Sequence, residues 1–258
     1  MKPVGVFDSG FGGVSFLKKA VELMPEENYI YYGDNANAPY GDRPEHEINS
    51  LSLKCANYLM SRGIKALVVA CNTATGTAIR SIRERVSVPV LSMEPAIKPA
   101  CSKEGDGKIL MLATVATTQL SSYKALKMRM PNPERVIDVP CPGLVNRIEK
   151  GMVGINDFDD LLSLYLAPYK GQTIDSIVLG CTHYVFIKEA IDNYARNHFS
   201  GRAEIIDGSE GTVRQLERVL DENGVRQRTG RGTIEFCTSG EMVKLKPIFK
   251  KLMSMKTG

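Results

Sequence analysis

Leu67-Val-Val-Ala-Cys71-Asn-Thr73 and Ile177-Val-Leu-Gly-Cys181-Thr-His183 read as one piece of structure used twice. Each begins with an apolar run too short for a helix and rich in β-branched residues, the pattern of a buried parallel strand. Each run then delivers a thiol and two small polar or titratable residues at the strand's C-terminal end, where open α/β sheets bind their ligands. A matched pair of thiols suits a reaction that takes a proton from one face of a carbon and returns one to the other.

Outward from these two strands the chain alternates elements. Strands are predicted at 4–7, 29–32, 65–70 and 88–91, with helices at 12–24, 44–61 and 74–85 between them. After a Pro-containing stretch around Pro95 and Pro99 the pattern starts again. Strands are predicted at 108–113, 135–139, 174–179 and 203–206, with helices at 117–130, 143–150, 157–169 and 185–198. Both cysteine-bearing strands are third in their units and lie 110 residues apart, about the size of a compact domain. The expected fold class is therefore α/β: two pseudo-symmetric α/β domains with mainly parallel sheets, the active site lying in the cleft between them. The residues after 208 (a helix, a strand at 233–237 and a helix at 241–252) are too few for a third domain. They are assigned back to the first, giving 1–97 plus 209–258 and 98–208.

Composition excludes several classes. A length of 258 residues with 43% hydrophobic content is enough for a full core. The formal net charge of +4 comes from scattered basic residues, so nucleic acid is not expected as the main partner. No apolar run reaches the roughly 18 residues of a membrane span, and the N-terminus lacks a signal-peptide core, so a cytoplasmic protein with no membrane partner is expected. The six cysteines, at 55, 71, 101, 141, 181 and 237, form no C-x-x-C pair, which argues against disulfides and structural zinc. Cys55, Cys101, Cys141 and Cys237 read as small buried hydrophobes.

The turn Asp8-Ser9-Gly10-Phe11-Gly12-Gly13 fails as a dinucleotide fingerprint because Ser stands at position 15, where a glycine is required. Phosphatase spacings fail too. What remains is a glycine-rich turn whose N–H groups suit a carboxylate. Lys65 and Lys108 begin strands, at the wrong end of the sheet for a Schiff base, which weighs against a pyridoxal enzyme.

Four segments together carry a resemblance: Gly5-Val-Phe-Asp8-Ser9-Gly10-Phe-Gly-Gly13, Tyr31-Tyr-Gly-Asp34-Asn-Ala-Asn-Ala-Pro39-Tyr40-Gly41, Ala70-Cys71-Asn72-Thr73-Ala74 and Leu179-Gly-Cys181-Thr182-His183-Tyr. In order and content they resemble the signature segments of bacterial glutamate racemases. The resemblance implies cofactor-independent interconversion of L- and D-glutamate, with D-glutamate feeding peptidoglycan, no cofactor and no metal. It further implies that Cys71 and Cys181 are the acid/base thiols, the first deprotonating D-glutamate and the second L-glutamate. Asp8 would assist Cys71, His183 would assist Cys181, and Glu149 would be the further acidic catalytic residue. Ser9, Tyr40, Gly41, Asn72, Thr73 and Thr182 match substrate contacts, with Asp8 and His183, and Thr114 and Thr117 fall where the second domain meets the cleft. Asn37 stands where many members have Arg. Glutamate is the expected partner, and a homodimer is left open. The alternatives are an aspartate or broad-specificity amino-acid racemase, or a non-catalytic amino-acid binding protein.

Overall fold

The computed structural model describes residues Lys2–Met255 and shows two separate parallel sheets. The first holds β1 (Val4–Asp8), β2 (Tyr29–Gly33), β3 (Ala66–Val69), β4 (Val90–Ser92) and β9 (Ile234–Thr238), in the order β4-β3-β1-β2-β9. The second holds β5 (Lys108–Ala113), β6 (Val136–Pro140), β7 (Ile174–Leu179) and β8 (Glu204–Ile206), in the order β6-β5-β7-β8. Counted within its own unit, each sheet runs fourth, third, first, second. The chain is thus two copies of one α/β plan, and β3 and β7, the strands that deliver the two thiols, occupy equivalent places beside the central strand.

Burial explains the strand sequences. Every residue of β1 and β3 is buried, as is all of β7 except Asp175, because helices cover both sheet faces. One apolar cluster runs unbroken from Val6, Phe11 and Leu17 of the first unit to Leu112, Ile148 and Tyr184 of the second, so the units meet through a shared core. The helix Ser209–Glu222 packs Val213, Leu216 and Leu220 into that cluster alongside Val14, Leu17 and Ala20.

The C-terminal segment returns to the first sheet, where β9 pairs in parallel with β2 and Thr238 lies opposite Gly33. A buried ion pair fixes its approach. Lys65 Nζ donates to Glu27 Oε2 at 2.6 Å and to the Val225 carbonyl at 2.7 Å, while Gln227 N–H donates to Glu27 Oε1 at 2.7 Å. Gly232 passes so close to the Glu27 carbonyl that an added Cβ would lie 2.0 Å from it.

Two predicted helices differ from expectation. The one expected at 117–130 is broken at Leu120, which ends one short helix, Val115–Gln119, and precedes another, Ser121–Met128. The one expected from 185 opens as a 3-10 stretch, Thr182–Ile187, before the α-helix Lys188–His198. All six residues of that stretch are buried, so packing at the domain junction overrides the helical pattern there.

Removing one partner of a buried ion pair leaves an uncompensated charge, which costs about 3–5 kcal/mol. Lys65→Met should therefore lower the free energy of unfolding by about that amount, as read by chemical denaturation. A loss below roughly 1 kcal/mol would show that the pair does not anchor the C-terminal segment.

Candidate active site

Cys71 and Cys181 face one small cavity at the junction of the two units. Its wall also includes Ser9, Tyr40, Gly41, Asn72, Thr73, Thr114, Thr182 and His183, all expected from sequence, together with Pro39 and Val145, which were not. Free space inside is about 10 Å³, room for one water-sized sphere. Wider concavities of about 620 and 700 Å³ lie on the second unit and at the chain crossing, and neither contains a thiol.

Cys71 ends β3 and caps the helix Asn72–Arg83, its Sγ accepting from Ala74 N–H at 3.4 Å and lying 3.4 Å from Ser9 Oγ. Burial pushes the Cys71 thiol up to about 12, and the Asp8 carboxylate adds to this. The Ser9 hydroxyl and the Ala74 N–H oppose it. Asn72 Oδ1 is buried in the cavity wall with no hydrogen-bond partner, the condition of an acceptor reserved for a ligand.

Asp8 is fully buried at the end of β1, one layer behind the cavity wall. It accepts from Gly10 N–H at 2.9 Å and from Thr182 Oγ1 at 3.1 Å. Burial raises its carboxyl, while the nearby His183 and the Gly10 N–H pull it back. Thr182 belongs to the second unit, so Asp8 is tied to both.

The second thiol has a different neighbourhood. His183 Nδ1 lies 3.7 Å from Cys181 Sγ, and His183 Nε2 lies 2.6 Å from Glu149 Oε1. Burial alone would lower the imidazole, but the hydrogen bonds and charges of Cys181 and Glu149 hold it well above its ordinary range. A protonated His183 donates from Nε2 to Glu149, so the Gly12 N–H, 3.1 Å from the same nitrogen, is a close contact and not a donor to it. Glu149 touches neither thiol and acts only through the imidazole.

The glycine-rich turn does bind a carboxylate, and the carboxylate is the protein's own. Phe11 N–H donates to Glu149 Oε1 at 2.6 Å. A Cβ on Gly10 would lie 2.1 Å from that oxygen, and one on Gly12 would lie 2.2 Å from Thr182 Oγ1. The glycines therefore let the first unit's turn press directly on Glu149, Thr182 and His183 of the second.

Thr114 and Thr117 form a hydroxyl triangle with Thr73, with oxygens 3.0–3.1 Å apart across the junction. Thr114 lines the cavity and Thr117 sits behind it. Asn37, at the position of the departure from Arg, donates to both oxygens of the buried Asp34, which also accepts from the Tyr40 hydroxyl at 2.6 Å. Sequence reading missed Asn35, which donates from Nδ2 to Glu149 Oε2 at 2.9 Å. Its signal in the sequence is its place beside Asp34, between β2 and Pro39.

Known proteins resemble the chain along its length. The family model for Asp/Glu/hydantoin racemases matches residues 4–216. A glutamate racemase of Clostridium perfringens is 43% identical over 256 residues, covering 98% of this chain and 97% of the relative. The crystal structure of a Francisella tularensis glutamate racemase in complex with D-glutamate superposes with a TM-score of 0.83 at 29% identity, covering 100% of this chain and 95% of that one. An Escherichia coli glutamate racemase with L-glutamate and the activator UDP-MurNAc-Ala superposes at 0.81 with 26% identity, covering 98% and 96%. With the family model spanning most of its length and relatives alike from end to end, this chain belongs to the Asp/Glu/hydantoin racemase family.

Proposed function

We propose that the protein interconverts L-glutamate and D-glutamate without a cofactor, Cys71 and Cys181 acting as acid and base on opposite faces of Cα, and that it supplies D-glutamate for peptidoglycan in the cytoplasm. The observation that carries this reading is the pair of thiols, one from the equivalent strand of each unit, in the wall of one cavity. The domain division is taken at 97/98 and 208/209.

The α-proton of an amino acid is a weak acid, so the site must supply both a strong local base and a stabilising field. His183, backed by Glu149, faces Cys181 Sγ and is placed to pair with a negative sulfur when Cys181 acts as the base. Cys71, pushed up to about 12, rests as the thiol. In one direction Cys181 takes the proton from Cα and Cys71 delivers its own to the opposite face, which inverts the carbon. Turnover leaves the protons exchanged. In the reverse direction Cys71 must be the base, and the substrate's α-ammonium, brought near Asp8 and Cys71, supplies the positive charge that favours its thiolate. Asn72 Oδ1 is an acceptor for that ammonium. The threonine hydroxyls of 73 and 114 offer donors to the carboxylates.

Glutamate is far larger than the present cavity, so the two units must separate to admit it, breaking the contact between Thr73 and Thr114. Closure then expels water, which strengthens every charge interaction inside.

The direct test is chiral chromatography of L-glutamate, and separately of L-aspartate, incubated with the purified protein. Conversion of glutamate to the racemate is expected, and faster conversion of aspartate would replace the substrate assignment. Cys71→Ser and Cys181→Ser should each abolish interconversion with the fold intact, because a hydroxyl of similar size is not a base near neutral pH. Substantial two-way racemisation by either variant would end the two-thiol mechanism.

Gly10→Ala tests the role of Glu149. The added methyl would collide with the far end of a flexible side chain, not with backbone, so the fold should survive while Glu149 is pushed off His183. Racemase activity should drop by about tenfold or more, the order expected when a charged hydrogen bond is lost. Undiminished activity in a folded Gly10→Ala protein would show that the contact between Glu149 and His183 is dispensable.

A further inference from the structure

We propose that Asn35 is a positioning residue for the Cys181 half of the reaction, acting through Glu149 and His183 and itself held by Thr238 at the end of β9. The proposal rests on the racemase reading of the site and adds a residue to it.

The hydrogen bonds form one line with a consistent direction. Gly240 N–H donates to Thr238 Oγ1 at 3.1 Å, and Thr238 Oγ1 donates to Asn35 Oδ1 at 2.9 Å. Asn35 Nδ2 donates to Glu149 Oε2 at 2.9 Å, Glu149 Oε1 accepts from His183 Nε2 at 2.6 Å, and His183 Nδ1 faces Cys181 Sγ. Turning the Asn35 amide over would set its oxygen against a carboxylate, so only one orientation satisfies both ends. Thr238 is the residue of β9 paired with Gly33, which places its hydroxyl beside the loop that starts at Asp34. Chains of this kind polarise one another, and a donor on a carboxylate stabilises its charge.

Asn35 thereby holds the Glu149 carboxylate in place against His183 Nε2, and through it the ring whose Nδ1 faces Cys181 Sγ. Without that donor one carboxylate oxygen loses its partner, the side chain is freer to turn, and the imidazole is held less firmly opposite the sulfur. The other titratable groups facing this line are Asp8 and Tyr31 from the first sheet, Cys71 from the end of β3, and Cys141 and Tyr184 from the second unit. None of them is Asn35's partner. The C-terminal strand, remote in sequence from every signature segment, becomes through Thr238 a support of the active site.

Two enantiomers have an equilibrium constant of one, so any variant must change kcat/KM equally in both directions, and direction alone cannot reveal which thiol was affected. Isotope effects can. If only the proton transfer at Cys181 is slowed, the α-deuterium effect on kcat/KM rises for the enantiomer that Cys181 deprotonates. It falls for the other enantiomer, whose deuteron is removed in a step that has become less limiting. We expect Asn35→Leu to lower kcat/KM by about tenfold with that divergence of isotope effects. Thr238→Val, close in shape, should move both readouts in the same sense by less, and it decides the matter if Asn35→Leu does not fold. Activity within about twofold of wild type in both variants would overturn the proposal. So would a loss of activity with both isotope effects unchanged, the mark of a general loss of competent enzyme. Failure of the wild-type chain to racemise glutamate would strike the racemase reading, whereas a failure confined to the variants strikes only the role of Asn35.

Discussion

The Glu149 carboxylate organises this molecule. It belongs to the second unit, yet it accepts a backbone N–H from Phe11 and a side-chain amide from Asn35, both of the first, while gripping His183 of its own. Only 14% of its side chain is exposed, so those donors take the place of water, and without them a charge at this depth would be costly. The close approach of Glu149, Thr182 and His183 to this turn explains the glycines at 10 and 12, because a side chain at either would run into those groups. It also explains why the turn after β1 is rich in free N–H groups although no nucleotide fingerprint is present.

Around that contact the two units are equal in plan and unequal in chemistry. The shared strand order gives each thiol the same address, at the end of the strand beside the centre of its sheet. The companions differ: Cys71 meets a hydroxyl, a helix N-terminus and a buried acid, and Cys181 meets an imidazole backed by an acid. A pair with identical surroundings would favour the same protonation on both sides. The proposed reaction needs that inequality, because moving a proton across a carbon takes one acid and one base at a time.

The plan was legible in the sequence because it is written in local patterns. Two short apolar runs of matching form, each ending in Cys and a polar pair, fix the strands, the ligand-binding end of the sheet and the internal repeat. Of the site residues predicted, only Asp8, Thr117 and Glu149 stand behind the cavity wall. What could not be read depends on partners distant in the chain. The turn's N–H groups predict a carboxylate, but nothing local shows that residue 149 supplies it. Asn35 and Thr238 are separated by 203 residues and meet only because β9 pairs with β2. Leu120 and the 182–187 stretch depart from helical expectation for the same reason, since packing at the junction outweighs local propensity.

A carboxylate shared between units also couples charge to shape. The donors to Glu149 come from both units, so any movement of one unit against the other changes the hydrogen bonds of the carboxylate that backs His183. Parting the units would leave a largely buried carboxylate short of donors, which is costly. The contact that holds the junction together is therefore also the one that fixes the imidazole beside Cys181.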